Sequence, residues 1–252
     1  MSAEGERLME RRFVRRIELT GALAADSYLH DVPAVRYLEA AGRLEFHSDV
    51  TFLVGENGVG KSTLLEAVAV ACGFNPEGGS RNFSFSTRET HSELGAALTV
   101  VRSAYPKDGF FLRAESFYNA ASYIDTLDEI PSVYGGSLHE ESHGESFLAL
   151  VQNRFRGHGL YLLDEPEAAL SPMRLLTLMG EIDRLTEAGS QFIISTHSPI
   201  LMAFPGAEVL EITGAGIRSV PYRETEHFTV TRSFLENPER MLRILLDKDA
   251  GE

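Results

Sequence analysis

Residues 55–63 constrain the fold of this chain more than any other feature. Their sequence, Gly-Glu-Asn-Gly-Val-Gly-Lys-Ser-Thr, matches the pattern G-x-x-x-x-G-K-[ST]. Residues 50–54 before it are apolar and favour a β-strand, and residues 62–71 after it are apolar at helical spacing, with Gly73 as a stop signal. The pattern therefore lies between a strand and a helix, which is the context that a phosphate-binding loop (P-loop) requires.

Each residue type in this loop has a physical reason. Gly55, Gly58 and Gly60 can adopt φ > 0 and place no Cβ between the backbone and a phosphate. Backbone N–H groups at the start of the helix attract negative charge. Lys61 is expected to reach the β- and γ-phosphates, and the Ser62 hydroxyl is expected to ligate Mg²⁺. The predicted nucleotide-binding residues are Gly55, Glu56, Asn57, Gly58, Val59, Gly60, Lys61, Ser62 and Thr63.

Composition limits the classes of protein to which this chain can belong. With 252 residues, 43% of them hydrophobic, it can form one large α/β domain or two small ones. No apolar run reaches about 18 residues, so no membrane span is predicted. Cys72 is the single cysteine, which fits a reducing compartment, and we expect a cytoplasmic location. The net charge of −14 argues against a broad nucleic-acid surface but not against a local basic groove.

The order of apolar runs predicts an α/β fold with a mainly parallel central sheet, because strands alternate with helices through most of the chain. Strands are expected at residues 13–19, in a pair formed by 44–47 and 51–54, in hairpins formed by 98–102 with 110–113 and by 208–212 with 217–220, and in buried runs at 160–163 and 192–195. Helices are expected after the P-loop, at residues 117–127, 147–155 and 174–185, and from Asn237 onward.

Two carboxylates, Asp164 and Glu165, follow the apolar run at residues 160–163. Ligands of open α/β sheets bind beyond the carboxyl ends of the strands. Asp164 is therefore placed to hold the Mg²⁺ shell, and Glu165 is placed to polarise the attacking water. An Asp-Glu pair alone is more often the start of a helix, and the P-loop upstream favours the catalytic interpretation.

His197 follows a second apolar run that ends in polar residues, at 193–198. A histidine after a strand is usually a loop residue without a catalytic role. Here a third strand end directs a polar group to the same edge of the sheet, so we expect His197 to contact the γ-phosphate. The predicted catalytic residues are Lys61, Glu165 and His197.

A second anion site is suggested by Ser142, His143, Gly144 and Glu145, which precede the apolar helix at 147–155. A serine hydroxyl and glycine N–H groups at a helix N-terminus can bind an anion. The same residues are equally compatible with a capped helix start. Their position upstream of the Asp164 strand favours the anion site.

These motifs occur in the order of ABC-type ATPases, and the chain resembles that family over nearly its whole length. The family carries a Walker A, a signature, a Walker B with a catalytic glutamate, a D-loop and a switch histidine. The Ser-x-Gly-Glu signature is similar to that of the RecF, Rad50 and SMC branch, although the chain has no inserted coiled coil. The run at residues 164–172 and the segment 226–246 are similar to the small predicted AAA/ABC ATPases of bacteria.

The resemblance implies a P-loop NTPase fold with a mixed sheet, flanking helices and a small helical subregion. It implies one ATPase domain over residues 1–252, with the helical signature subregion at about 116–150. It also implies ATP as substrate, Mg²⁺ as cofactor and an ATP-dependent head-to-tail homodimer. In such a dimer Ser142 and Gly144 contact the γ-phosphate bound by the partner's P-loop, and residues 168–171 form the D-loop.

The chain departs from the family at the Q-loop, where the expected glutamine is missing. Glu115 stands at the corresponding place after a strand and could meet Mg²⁺ through a water, or it could equally be a surface acid. The leading hypothesis is an ATPase that works on an unidentified protein partner. The alternatives are the ATP-binding subunit of a membrane transporter, a RecF/Rad50-like ATPase of nucleic-acid maintenance or defence, and an ATP-operated switch with negligible turnover.

Overall fold

The computed structural model describes residues 12–80, 93–114 and 143–246. The strands of these segments are β1 (Arg16–Leu19), β2 (Arg43–Glu45), β3 (Val50–Val54), β4 (Leu98–Val101), β5 (Asp108–Arg113), β6 (Gly159–Asp164), β7 (Gln191–Ser195), β8 (Glu208–Thr213) and β9 (Gly216–Ser219). The helices are α1 (Pro33–Ala41), α2 (Lys61–Ala71), α3 (Glu93–Ala97), α4 (His143–Arg154), α5 (Pro172–Glu187), α6 (Pro199–Met202), α7 (Glu226–Glu236) and α8 (Pro238–Leu245).

A six-stranded sheet of order β5-β6-β7-β3-β8-β9 forms the centre of the fold. Its first five strands are parallel, and β9 is antiparallel to β8. Because β3, β6 and β7 are neighbours and run the same way, the segments that follow them meet at one edge of the sheet. The predicted mixed α/β fold is confirmed, and this edge is where the sequence places the P-loop, Glu165 and His197.

A second, antiparallel sheet of order β2-β1-β4 corrects two predicted pairings. β2 pairs with β1 rather than with β3, and β4 pairs with β1 rather than with β5. The turn residues between these runs indicated hairpins, but the chain crosses from one sheet to the other at both places. The reason lies in the side chains: β3 is buried at every position and β5 at its four central ones, whereas β2 and β4 expose part of theirs.

Other predicted elements agree with the structure to within a few residues. The β8–β9 hairpin has Thr213 opposite Gly216, and α8 begins after Asn237, whose side chain accepts a hydrogen bond from the Arg240 N–H. Helix α1 was not predicted, although Pro33 begins it and Gly42, with φ 73°, ends it. The predicted helix at 117–127 and most of the signature subregion lie outside the described residues.

Two apolar clusters cover the two faces of the central sheet. Alternate residues of β6 divide between them: Tyr161 and Leu163 pack toward α4 and α5, and Leu160 and Leu162 pack toward α1 and α2. The second cluster also contains Ile17 of the three-stranded sheet, so the two sheets share one core. No helix in the described segments is long and apolar enough to cross a membrane.

A buried amide fixes the segment before β1 against the central sheet. Gln191, at the start of β7, is 1% exposed. Its Oε1 accepts a hydrogen bond from the Val14 N–H at 2.8 Å, and its Nε2 donates to the Val14 carbonyl at 2.8 Å. One side chain thus satisfies both polar groups of a buried backbone unit.

Candidate active site

The P-loop connects β3 to α2 through three glycines with positive φ, as predicted. The φ angles are 142° at Gly55, 83° at Gly58 and 98° at Gly60. Gly55 has a second constraint, since a Cβ there would lie 2.3 Å from the carbonyl oxygen of Ile212. The loop therefore passes so close to the end of β8 that its first position excludes any side chain.

Lys61 begins α2 and turns its ammonium back over the loop. Its Nζ donates to the carbonyl oxygens of Gly55, at 2.9 Å, and Glu56, at 3.0 Å. Burial lowers the pKa of Lys61, and the charges of Glu165 and Asp164 oppose that shift. The ammonium is thus held at the mouth of the loop on two neutral acceptors.

Ser62 and Asp164 meet across the sheet edge. The Ser62 hydroxyl donates to Asp164 Oδ1 at 2.9 Å, and the second oxygen, Oδ2, lies 3.3 Å from Nε of Arg113. Arg113 also contacts Glu66 Oε2 through Nη1 at 2.7 Å. A hydroxyl and a carboxylate beside a P-loop fit Mg²⁺, which prefers oxygen ligands and usually takes only one or two from the protein.

Glu165 occupies a left-handed backbone conformation, with φ 49° and ψ 52°. Its N–H donates to the Ser195 carbonyl at 3.0 Å, and its carboxylate lies 3.4 Å, at Oε1, from His197 Nε2. A non-glycine residue in this region costs of order 1–3 kcal/mol, and such strain is concentrated at functional sites. The side chain remains 39% exposed, so water can reach the carboxylate.

His197 is held from both sides of its ring and through its backbone. Its backbone N–H donates to Oε1 of Glu167, and its ring Nδ1 lies 2.8 Å from Nε2 of His227. Burial lowers the pKa of His197, and the Lys61 charge lowers it further against the opposing effect of Glu165. The structure therefore favours a neutral imidazole beside the P-loop lysine.

Three residues of this site were missed by the sequence reasoning. Arg113 pairs with Asp164, Glu167 holds the backbone of His197, and His227 contacts its ring. Glu167 lies in the Asp-Glu-Pro-Glu run, and burial raises the pKa of its carboxyl group. The repeated acid after Asp164 and Glu165 was the available signal for Glu167. His227 lies in the family-like segment 226–246, but it is 30 residues from His197 and no local pattern placed it at the site.

The described part of the signature packs against the turn at Pro166–Ala169. A Cβ at Gly144 would lie 2.8 Å from the Ala169 carbonyl oxygen, and Glu145 Oε1 contacts Arg174 Nη2 at 2.8 Å. Ser142 and Glu115 lie outside the described residues, as does the side chain of His143. The start of α4 and the predicted D-loop thus contact each other directly.

Two protein families match the chain in the segments that form this site. The family described as "AAA domain" matches residues 35–110, which include the P-loop. The family described as "AAA domain, putative AbiEii toxin, Type IV TA system" matches residues 138–203, which include Asp164, Glu165 and His197. Together with the order of the motifs, these matches support an ABC-type P-loop ATPase. The resemblance inferred from the motifs is confirmed.

Relatives of this ATPase include two curated proteins of Bacillus cereus strains, both named Ribose import ATP-binding protein RbsA. One is 26% identical and the other 24% identical over an alignment of 172 positions, which covers 59% of this chain. The matched region is 34% of the length of each relative, so the ATPase corresponds to about a third of those proteins.

Solved structures similar to the ATPase include cbiO1 from Clostridium perfringens, described as part of the ABC transporter complex cbiONQ. It has a TM-score of 0.48 and 16% identity, covering 93% of this chain and 99% of that one. The SMC head domain from Thermotoga maritima has a TM-score of 0.44 and 16% identity, covering 83% of this chain and 98% of that one.

Proposed function

We propose that this ATPase binds Mg-ATP at the P-loop and hydrolyses it with Glu165 as the general base. The observation that carries the proposal is the meeting of two pairs at one sheet edge. Ser62 lies 2.9 Å from Asp164, and Glu165 lies 3.4 Å from His197. The P-loop and the ends of two neighbouring strands would thereby supply the magnesium ligands, the base and the contact to the γ-phosphate.

The P-loop would bind the phosphates through its N–H groups and Lys61. The Lys61 ammonium now contacts two neutral carbonyl oxygens, and anionic phosphate oxygens are stronger acceptors for the same donors. Ser62 and Asp164 would hold Mg²⁺, and a bound Mg²⁺ neutralises charge on the β- and γ-phosphates. We propose the remaining loop residues, from Gly55 to Thr63, as the rest of this cradle.

Glu165 would accept a hydrogen bond from the attacking water, and His197 would donate one to the γ-phosphate. Positioned donors stabilise the charge that develops on the transferred phosphoryl group. A positioned general base contributes typically about 10²- to 10⁴-fold in rate. The proximity of Glu165 and His197 supports these two roles, because one water between the side chains and the phosphate can contact both residues.

We also propose that residues 1–252 form one domain that dimerises head to tail around two ATP molecules. The core shared by the two sheets supports a single domain. The close approach of Gly144 to the turn at Pro166–Ala169 supports the dimer, because it places the start of α4 next to the predicted D-loop. Ser142 and Gly144 would then complete the partner's site.

The test is phosphate release by Glu165→Gln, with Glu187→Gln as a control of the same chemistry at an exposed position of α5. We expect Glu165→Gln to lower kcat by about 100-fold or more while ATP affinity stays within a few fold. Glu187→Gln should behave as the unmodified protein. Unchanged turnover in Glu165→Gln would remove Glu165 from the role of base.

A second candidate is an ATP-binding subunit that drives import through a membrane subunit, and the name of the two RbsA relatives favours it. In this candidate the ATP-bound dimer docks on a membrane subunit. Affinity capture with Glu165→Gln and Mg-ATP from solubilised membranes tests it. Specific, ATP-dependent recovery of one integral membrane protein is expected, and recovery of soluble proteins alone would contradict it.

A further inference from the structure

His227 contacts the ring of His197 and lies outside the motifs that predict the nucleotide site. Its Nε2 lies 2.8 Å from His197 Nδ1, and the two ring centroids are 4.9 Å apart. The other ring nitrogen of His197, Nε2, lies 3.4 Å from Glu165 Oε1. His197 thus lies between a second histidine and a carboxylate.

We propose that His227 is a positioning residue that donates its Nε2–H to His197 Nδ1 and so fixes neutral His197 with its proton on Nε2. The proposal rests on the proposed role of His197 at the γ-phosphate. A carboxylate can only accept hydrogen bonds, so the ring nitrogen that faces Glu165 must carry the proton to make a favourable contact. In a neutral imidazole the other nitrogen, Nδ1, is then an acceptor, and His227 must be the donor.

The surroundings of the pair are consistent with two neutral rings. Burial lowers the pKa of His227, and the neighbouring His197 and Lys61 lower it further against the opposing charges of Glu226 and Glu167. Burial and the Lys61 charge also lower the pKa of His197. With one proton on each ring, the shared hydrogen bond has one donor and one acceptor, and the two tautomers are fixed together.

The backbone of α7 holds His227 in place. Thr225, the residue before α7, is fully buried. Its hydroxyl accepts a hydrogen bond from the Phe228 N–H at 3.3 Å and donates to the Tyr222 carbonyl at 2.7 Å. The Tyr222 and Phe228 rings also pack edge to face, with centroids 5.2 Å apart. This capped first turn gives His227 a fixed direction toward His197.

The consequence for catalysis is a donor that is ready before ATP arrives. With its proton on Nε2, His197 presents an N–H to the site where the γ-phosphate is expected. Without His227, the ring can adopt the other tautomer, which presents a lone pair to the phosphate and loses the contact. Because the contact serves the transition state, its loss should lower kcat and leave the KM for ATP nearly unchanged.

The first test is spectroscopic and needs no nucleotide. In ¹⁵N-histidine-labelled protein, assigned by His197→Gln and His227→Gln, we expect the His197 signals of a neutral ring with the proton on Nε2. In His227→Phe, which keeps a ring but removes the donor, a mixture of tautomers is expected. A wild-type His197 with its proton on Nδ1, or an unchanged tautomer in His227→Phe, would overturn the proposal.

The second test is kinetic and uses rescue. His227→Phe should lower kcat about tenfold at constant KM, the loss expected for one net hydrogen bond. His227→Gln, whose Nε2 amide can donate from the same place, should recover most of this loss. Equal impairment in both variants would overturn the proposal.

A separate variant distinguishes this proposal from the proposed function. If His197→Gln hydrolyses ATP at the wild-type rate, the proposed catalytic role of His197 fails, and the tautomer measurement still decides the role of His227.

Discussion

The P-loop glycines offer a prediction in which two substitutions both fall at a positive φ and differ in the space around the added Cβ. Gly55 and Gly58 both have positive φ, which L-residues adopt at a cost of about 1–2 kcal/mol. A Cβ at Gly58 would meet nothing within 4 Å, whereas a Cβ at Gly55 would lie 2.3 Å from the Ile212 carbonyl oxygen. That oxygen belongs to the backbone of β8 and cannot turn away as a side chain could.

The expected loss in the free energy of unfolding has two contributions, backbone strain and the close contact with β8. Gly58→Ala should lower the free energy of unfolding by about 1–2 kcal/mol, from backbone strain alone. Gly55→Ala adds an overpacking cost of about 1–3 kcal/mol, because β8 or the loop must move. A kcal/mol shifts the melting temperature of a chain of this size by about 2–4 °C. Gly55→Ala should therefore melt roughly 5 °C below Gly58→Ala.

Thermal unfolding of the nucleotide-free proteins, followed by circular dichroism, measures the difference without any contribution from ATP. Gly58→Ala is the control for a Cβ that is added at positive φ and meets no neighbouring atom. Equal melting temperatures, or a lower one for Gly58→Ala, would refute the claim that the contact with β8 excludes a side chain at Gly55.

Two further substitutions test the packing of the core and of the signature. Gln191→Leu keeps the volume but leaves the Val14 N–H and carbonyl unsatisfied, and we expect a loss of about 2–4 kcal/mol in the free energy of unfolding, measured in urea. Gly144→Ala forces α4 away from the Ala169 carbonyl, and we expect lower ATP turnover with unchanged ATP affinity.

Each of these substitutions has a control at a position without the contact. Gln152→Leu changes an exposed glutamine and should be nearly neutral in urea. Gly180→Ala adds a Cβ that meets nothing within 4 Å and should leave turnover unchanged. A loss below about 1 kcal/mol in Gln191→Leu, or full turnover in Gly144→Ala, would contradict the corresponding expectation.

The elements that the sequence predicted are those specified by local pattern. The strand, glycine turn and helix around residues 55–63 are adjacent in the chain, and so is the apolar run that ends at Asp164. The β8–β9 hairpin likewise follows from its own turn residues, with Gly216 at φ 132°. In each case the physical cause lies within about ten residues of the element.

The pairings that the sequence predicted wrongly are those decided by distant segments. Residues 98–102 and 110–113 are separated by turn signals, yet β4 pairs with β1 and β5 pairs with β6. The turn indicated that the chain reverses direction but not which sheet receives the next strand. In the structure β5 is buried at its four central positions, and the central sheet supplies that burial.

Contacts around the proposed catalytic residues also join segments that are far apart in the sequence. His197 and His227 are 30 residues apart, and Arg113 reaches Asp164 only through the register of β5 with β6. The residues expected to perform the chemistry could be named from their motifs. The residues that orient them could not, because no local pattern marks a side chain that acts through another element.

The central claim is that ATP is hydrolysed at a site completed by a second copy of the chain. Size-exclusion chromatography of Glu165→Gln with and without Mg-ATP tests it most directly, beside phosphate release by the unmodified protein. The account predicts a shift from monomer to dimer that requires both Mg²⁺ and ATP, and slow but measurable phosphate release. A variant that binds Mg-ATP and remains a monomer, while the unmodified protein turns ATP over alone, would contradict it.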